Sequence, residues 1–336
     1  GLGDLYPSAA KVQLMTALKS MLPPHLEKGL LSITGSGAVE AALKTALIAT
    51  KKFHFIVFDG CYHGLDFGSL AATYRRDFKA PFKSHLAQSH FTHVPYGLPV
   101  NELKNLVKDL QISGNLAGIL VEPVQGRGGM KVASTSWLQD LRGFCDAHSA
   151  CLIYDEVYTG LGRIGSMTTA QDVPCDLLCL GKALGGGMPL SACFGTQEIM
   201  DLWPKSAGEA IHTGTFFGHP LSCLVGLRTI SMIKDQALCE RAKRLGEDAI
   251  TKMRSLWSER SMISDIRGRG LMLCIEFGKD AAGETMMVEL RKRGVIAIPC
   301  GPNARCLSIT PALNIEAELL ETAFEKIDQC MKAIEN

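Results

Sequence analysis

The sequence lacks any uninterrupted apolar run that approaches the ~20 residues of a membrane-spanning helix, so no membrane partner is expected. It also lacks a charge of dominant sign. Its 35 Lys and Arg stand against 34 Asp and Glu, a formal net charge of +1. That leaves no electrostatic reason to expect nucleic acid or an anionic surface as partner. No Gly-x-Gly-x-x-Gly follows the first predicted strand, which argues against a Rossmann dehydrogenase. No Cys-x-x-Cys pair occurs among the 12 cysteines; Cys175 and Cys179 are four apart. Cys151, Cys179, Cys193 and Cys274 lie inside apolar runs. Unpaired thiols of this kind point to a reducing cytoplasm and small buried hydrophobes, with no metal site expected. The opening Gly1-Leu2-Gly3-Asp4 has no basic region leading into an apolar one, so no signal peptide is expected. It has no initiator methionine either, and the expectation is that the natural N-terminus lies upstream. Low-complexity linkers and internal repeats are also missing.

What is present is a globular composition, 46% hydrophobic and 21% charged over 336 residues, long enough for two domains. The apolar pattern predicts a helix from Ala9 to Leu22, ended by Pro23-Pro24. A short strand at 30–33 passes through Thr34-Gly35-Ser36-Gly37 into an alanine-rich helix. Further strands are read at 55–58, 91–94, 118–121, 151–154, 177–180 and 190–194, with helices at 101–110 and 137–148. Short apolar strands alternating with helices imply an α/β fold, its central sheet mostly parallel and flanked by helices. One or two long helices span Leu221 to Met253. A smaller α+β region follows, with strands at 269–277, 295–298 and 306–309, a helix from Met286 to Arg293, and a closing helix. In that last helix Leu320, Phe324, Ile327, Met331 and Ile334 form one apolar stripe. The expected division is a large domain over 1–235 and a small C-terminal domain over 236–336.

Ligands of open α/β sheets bind at the carboxyl ends of strands. The Gly35-Ser36 turn, Tyr62, Glu122, Asp155 and Lys182 all fall just past predicted strand ends. Lys182 follows a buried strand and precedes three glycines, Gly185-Gly186-Gly187. Taken by itself it is either a solvated loop lysine or a Schiff-base residue. The Gly35-Ser36-Gly37 turn is either a plain capped turn or a phosphate cradle at a helix N-terminus.

Six stretches carry a resemblance. They are Thr34-Gly35-Ser36-Gly37-Ala38-Val39-Glu40, Tyr62-His63-Gly64, Glu122-Pro123-Val124-Gln125-Gly126, Asp155-Glu156-Val157, Gly181-Lys182-Ala183-Leu184-Gly185-Gly186-Gly187, and His212-Thr213-Gly214-Thr215. In this order they resemble the class III aminotransferases, pyridoxal-phosphate enzymes of fold type I. The resemblance implies that Lys182 forms the Schiff base with the cofactor aldehyde and moves the proton between Cα and C4′. It implies that Asp155 pairs with the pyridine nitrogen and keeps it protonated. Gly35 and Ser36 would hold the phosphate, and Tyr62 and Val157 would cover the two ring faces. Glu122 and His63 would stand behind these, although His63 also reads as a core histidine satisfied by a backbone carbonyl. Thr215 would reach the phosphate of the neighbouring subunit, which makes the homodimer a catalytic requirement. The implied reaction is a ping-pong transfer of an amino group from an amine donor to a 2-oxo acid.

Three departures from the family bear on substrate. Tyr158 stands where members usually carry a glutamine that touches the cofactor's phenolic oxygen; a phenol can donate the same bond. Arg127 stands where many ω-amino acid members have an acidic gate, and Ser308 where they have a carboxylate-gripping arginine. Serine cannot replace that bidentate pair, which argues against an ornithine or acetylornithine substrate. Arg127 or Arg305 is left to bind a carboxylate, with Arg305 read more simply as a solvated arginine and Arg127 taken as the candidate substrate contact. The N-terminal stretch of a typical member is also missing. Two other readings stay open at this point: an aminomutase or racemase of the same fold, and a truncated dimeric relative without catalysis.

Overall fold

The computed structural model describes residues 6–205 and 207–335. The chain divides into two compact units. The first comprises residues 1–123, 133–161 and 167–232; the second comprises 124–132, 162–166 and 233–336. Two short early segments thus pack with the C-terminal part, which a single boundary in the sequence does not express.

The strands of the first unit are β1 (Lys28–Ser32), β2 (His54–Phe58), β3 (Phe91–Val94) and β4 (Leu116–Val121). After the two-residue pair β5 (Val124–Gln125) and β6 (Lys131–Val132) of the second unit come β7 (Cys151–Asp155), β8 (Leu177–Leu180) and β9 (Ser191–Gly195). One seven-stranded sheet runs β1-β9-β8-β7-β4-β2-β3. All its pairings are parallel except those of β9, which runs against both β1 and β8. β2, β4, β7, β8 and β9 are buried along their whole length, as a sheet covered on both faces requires. The helix Gly35–Thr50 packs Ala38, Ala42 and Ala46 against this sheet, and these small side chains let it lie close. Thr34 caps it by accepting the Gly37 N–H at 2.9 Å.

The second unit holds a four-stranded antiparallel sheet made of β10 (Ile263–Arg269), β11 (Met272–Phe277), β12 (Ile298–Cys300) and β13 (Cys306–Ile309), in the order β10-β11-β13-β12. Its core joins Trp257, Phe277, Leu290, Phe324 and Met331 from that sheet and its helices. Two sequence expectations change here. The predicted strand at 269–277 is the end of one strand and the whole of the next. Gly270, at φ +55°, turns the chain between them, a conformation open to glycine. The predicted strand at 295–298 shifts to Ile298–Cys300, because Gly294, at φ +78°, first has to turn the chain out of the helix Ala282–Lys292. The stretch read as one or two helices from Leu221 is two, Pro220–Asp235 and Leu238–Trp257. Among the described residues no helix is long and apolar enough to cross a membrane.

Candidate active site

The strands β1, β2, β4, β7 and β8 share one direction, so their carboxyl ends lie along one edge of the sheet. Asp155 ends β7, with its carboxylate only 6% exposed. His63, which follows β2, sets Nδ1 2.8 Å from Asp155 Oδ2. The other oxygen, Oδ1, accepts the Val157 N–H at 3.1 Å. His63 therefore meets a carboxylate rather than a backbone carbonyl. Its Nε2 is buried without a hydrogen-bond partner. Burial lowers the affinity of this imidazole for a proton, but Cys61 and Asp155 outweigh it and raise its pKa well above the ordinary value.

Lys182 lies two residues beyond β8, the strand beside β7, where Asp155 is paired with Cys179. It has φ +41°, a left-handed conformation uncommon outside glycine. Gly186 and Gly187 continue the turn at φ +54° and +102°. Lys182 is exposed, and its Nζ stands 4.5 Å from the centroid of the Tyr158 ring, within cation–π range. Tyr158 itself is half-buried.

The Gly35-Ser36 turn follows β1 and opens the helix Gly35–Thr50. The first intrahelical bond runs from the Ala38 N–H to Thr34 O, so the N–H groups of Gly35 and Ser36 lie ahead of it, at the positive end of the helix. The Ser36 hydroxyl accepts the Leu65 N–H at 3.1 Å. Val157 binds these parts together sterically. A Cβ added at Gly35 would sit 2.7 Å from Val157 Cγ1, and one at Gly181 would sit 3.1 Å from the same atom. Glycine at Gly35 is thus required by close approach rather than by backbone conformation.

Glu122, just past β4, is buried and accepts the Tyr62 N–H at 2.9 Å. Tyr96 donates to Glu122 O at 2.8 Å and so fixes the backbone there. The Tyr62 ring is half-buried and meets Phe78 edge-on, 6.2 Å between centroids. Glu156, the residue after Asp155, is buried. Its carboxylate accepts the Thr159 hydroxyl at 3.0 Å and the Thr169 N–H at 2.7 Å, which ties two loop segments to the end of β7. Burial pushes its carboxyl up, against the pull of the Thr168 hydroxyl, the Thr169 N–H and the Thr159 and Thr169 hydroxyls. A lone acidic residue gave no sequence signal for this; the threonines at Thr168 and Thr169 were the available clue.

Thr215 is exposed, in a tight turn closed by the Phe217 N–H to Gly214 O at 2.9 Å. Arg127 belongs to the second unit, where its side chain is exposed and its carbonyl accepts the Gly301 N–H at 2.9 Å. Ser308 is buried in β13 of the same unit, opposite Cys274 and Ile298.

The structure resembles an ornithine aminotransferase from Toxoplasma gondii at 29% identity and a TM-score of 0.89, over 99% of this chain and 79% of that one. It resembles an acetylornithine aminotransferase from Elizabethkingia anophelis at 25% identity and a TM-score of 0.80, over 98% of this chain and 79% of that one. An (S)-enantioselective omega-transaminase from Thermomicrobium roseum, 23% identical, shares the fold at a TM-score of 0.90 over 99% of this chain and 82% of that one. The model of the family Aminotransferase class-III matches residues 4–331. Since that match takes in both units and every strand-end residue described above, the chain belongs to the class III aminotransferases and is a pyridoxal-phosphate-dependent transaminase.

Proposed function

We propose that Lys182 is the covalent anchor and proton carrier of this transaminase, with Asp155 as the partner of the cofactor's ring nitrogen. The residues present fit the group. A buried carboxylate stands one strand from the lysine, and glycines that a Cβ would crowd line the turn toward it. When bound, pyridoxal phosphate supplies an aldehyde that takes up amines and a ring that withdraws electrons from the neighbouring carbon. Asp155, oriented by His63 and by the Val157 N–H, holds a proton at the ring nitrogen. The N–H groups of Gly35 and Ser36 bind the phosphate. Tyr62 and Val157 cover the ring faces, and Glu122 fixes the backbone of Tyr62. Tyr158 serves the phenolic oxygen by its hydroxyl. The lysine amine would move the proton from the substrate carbon to the cofactor carbon that bore the aldehyde in one half-reaction, and back in the other.

The single observation that carries this reading is the His63–Asp155–Val157 bracket beside the strand that leads to Lys182. The donor is an amine or ω-amino compound and the acceptor a 2-oxo acid. Ser308 in place of a carboxylate-gripping arginine speaks against ornithine as donor, despite the likeness to an ornithine aminotransferase; Arg127 is the proposed substrate contact. The working form is a homodimer in which Thr215 serves the partner's phosphate site. Ile211, Phe216, Leu221 and Leu224 support this, since each is at least half exposed around that turn. Twelve free cysteines, mostly buried, support a reducing cytoplasm. The test is a pair of half-reactions. An amine donor alone should bleach the cofactor's visible band, and pyruvate or 2-oxoglutarate should restore it. Turnover of one substrate with no 2-oxo acid consumed would instead indicate a mutase or racemase.

A further inference from the structure

The second unit holds a side-chain cluster that transamination does not use. We propose that Cys274, Cys300 and Cys306 form a binding site for a thiophilic divalent cation of the zinc class, which clips three strands together. The sheet register makes the cluster. β11 pairs with β13 so that Cys274 lies opposite Ser308, and β12 pairs with β13 so that Cys300 lies opposite Cys306. Cys306 and Ser308 are two residues apart and share a face, so all three thiols project to the same side of adjacent strands. Their sulfur atoms lie within 4.8 Å of one another. Tetrahedral thiolate sites have metal–sulfur distances of ~2.3 Å and hence sulfur–sulfur separations of ~3.8 Å. Closing the cluster on an ion therefore needs a movement of no more than about 1 Å per pair.

The surroundings suit a charged thiolate site. Arg267 Nη2 points to Cys306 Sγ at 3.6 Å. Its guanidinium is held in place by Gly129 O at 2.7 Å from Nε, and by Asp265 and Glu276 at 2.7 and 2.6 Å from Nη1. A donor fixed in this way orients a sulfur ligand from behind. Cys274 and Cys306 are buried while Cys300 is partly exposed, which gives an ion an entry side and leaves its fourth position to water. Binding displaces three thiol protons and transfers no electrons. The competing chemistry is a Cys300–Cys306 disulfide, in which the two thiols lose two protons and two electrons to an oxidant such as a peroxide. It would leave Cys274 out, and the third sulfur within reach is what favours the ion. Sequence spacing hid the site, because its ligands come from three strands and no two are a Cys-x-x-Cys pair.

The test uses the cofactor-loaded enzyme, reduced, stripped with a chelator and titrated with Cd2+ and Zn2+. One equivalent per chain is expected, with an ultraviolet cadmium–thiolate band and an affinity that rises with pH. Cys300→Ser, at the most exposed position, should weaken binding at least tenfold, Cys306→Ser likewise, and Cys239→Ser not at all. Circular dichroism establishes that each variant is folded. Equal Cd2+ uptake by Cys300→Ser and the unaltered chain would overturn the proposal. So would a reduced protein that takes up no Cd2+, or uptake that follows Cys239.

Discussion

Asp155 and His63 form a buried pair, with His63 Nδ1 2.8 Å from Asp155 Oδ2. His63 has a raised pKa in the folded protein, so the folded state binds its proton more tightly than the unfolded chain does. The stabilisation from that proton is complete below the ordinary histidine pKa of ~6.5 and is lost as pH rises through the raised folded value. We therefore expect His63→Gln to cost the apo-protein ~1.5–3 kcal/mol in mildly acidic buffer, the range of a charge-assisted hydrogen bond, and less at alkaline pH. Urea denaturation at several pH values measures this. A penalty that grows with pH would contradict the assignment. The pair also accounts for an ambiguity in the sequence. Tyr62-His63-Gly64 gives no hint of which group His63 meets, because Asp155 lies 92 positions away and arrives only through the pairing of β2, β4 and β7.

Among the elements, the turn into the helix Gly35–Thr50 is the one whose geometry is most constrained. Gly35→Ala would press its Cβ onto Val157 Cγ1 at 2.7 Å. Overpacking of this kind typically costs ~1–3 kcal/mol, and here it should also weaken cofactor retention. Val157→Ala removes the obstructing methyl groups, so the double variant should recover most of the loss in melting temperature. Simple additivity of the two variants would show that the contact is not the cause. The central strands β2, β4, β7 and β8 were legible because each is a largely apolar run followed by a turn, and the strand-end positions of Asp155 and Lys182 came with them. The hairpin β10–β11 was not. Ile263–Arg269 buries only Ile266 among exposed and half-buried residues and so gives little apolar signal, and a single glycine marks the reversal at Gly270. Lys182 was expected after a buried strand, and that strand is there. Its own exposure and its place over the Tyr158 ring are set by the left-handed turn, which the neighbouring glycines only hinted at.

For the whole molecule the proposed homodimer has a consequence that separates it from a monomer with a self-contained site. If Thr215 serves the partner's site, a Lys182→Ala chain and a Thr215→Ala chain complement each other. In the hybrid dimer one site has the intact lysine of one chain and the intact threonine of the other. Refolding an equimolar mixture should then give activity well above that of either variant alone, with dimers seen by light scattering. If Thr215 serves its own chain's site, the mixture should give no more than the mean of the two. The two units also explain why the linear boundary near 235 was only part of the picture. Segments 124–132 and 162–166 join the C-terminal unit because β6 and the Arg163 loop make their backbone contacts there, the latter through the Leu271 N–H to Arg163 O at 3.0 Å.

Chemical trapping tests the covalent role of Lys182 most directly. The cofactor-loaded enzyme is reduced with borohydride, digested and mapped by mass spectrometry. The predicted result is a phosphopyridoxyl mass on the peptide that contains Gly181-Lys182-Ala183, absent from Lys182→Ala. The same mass on any other lysine, with Lys182 unmodified, would rule out Lys182 as the covalent anchor.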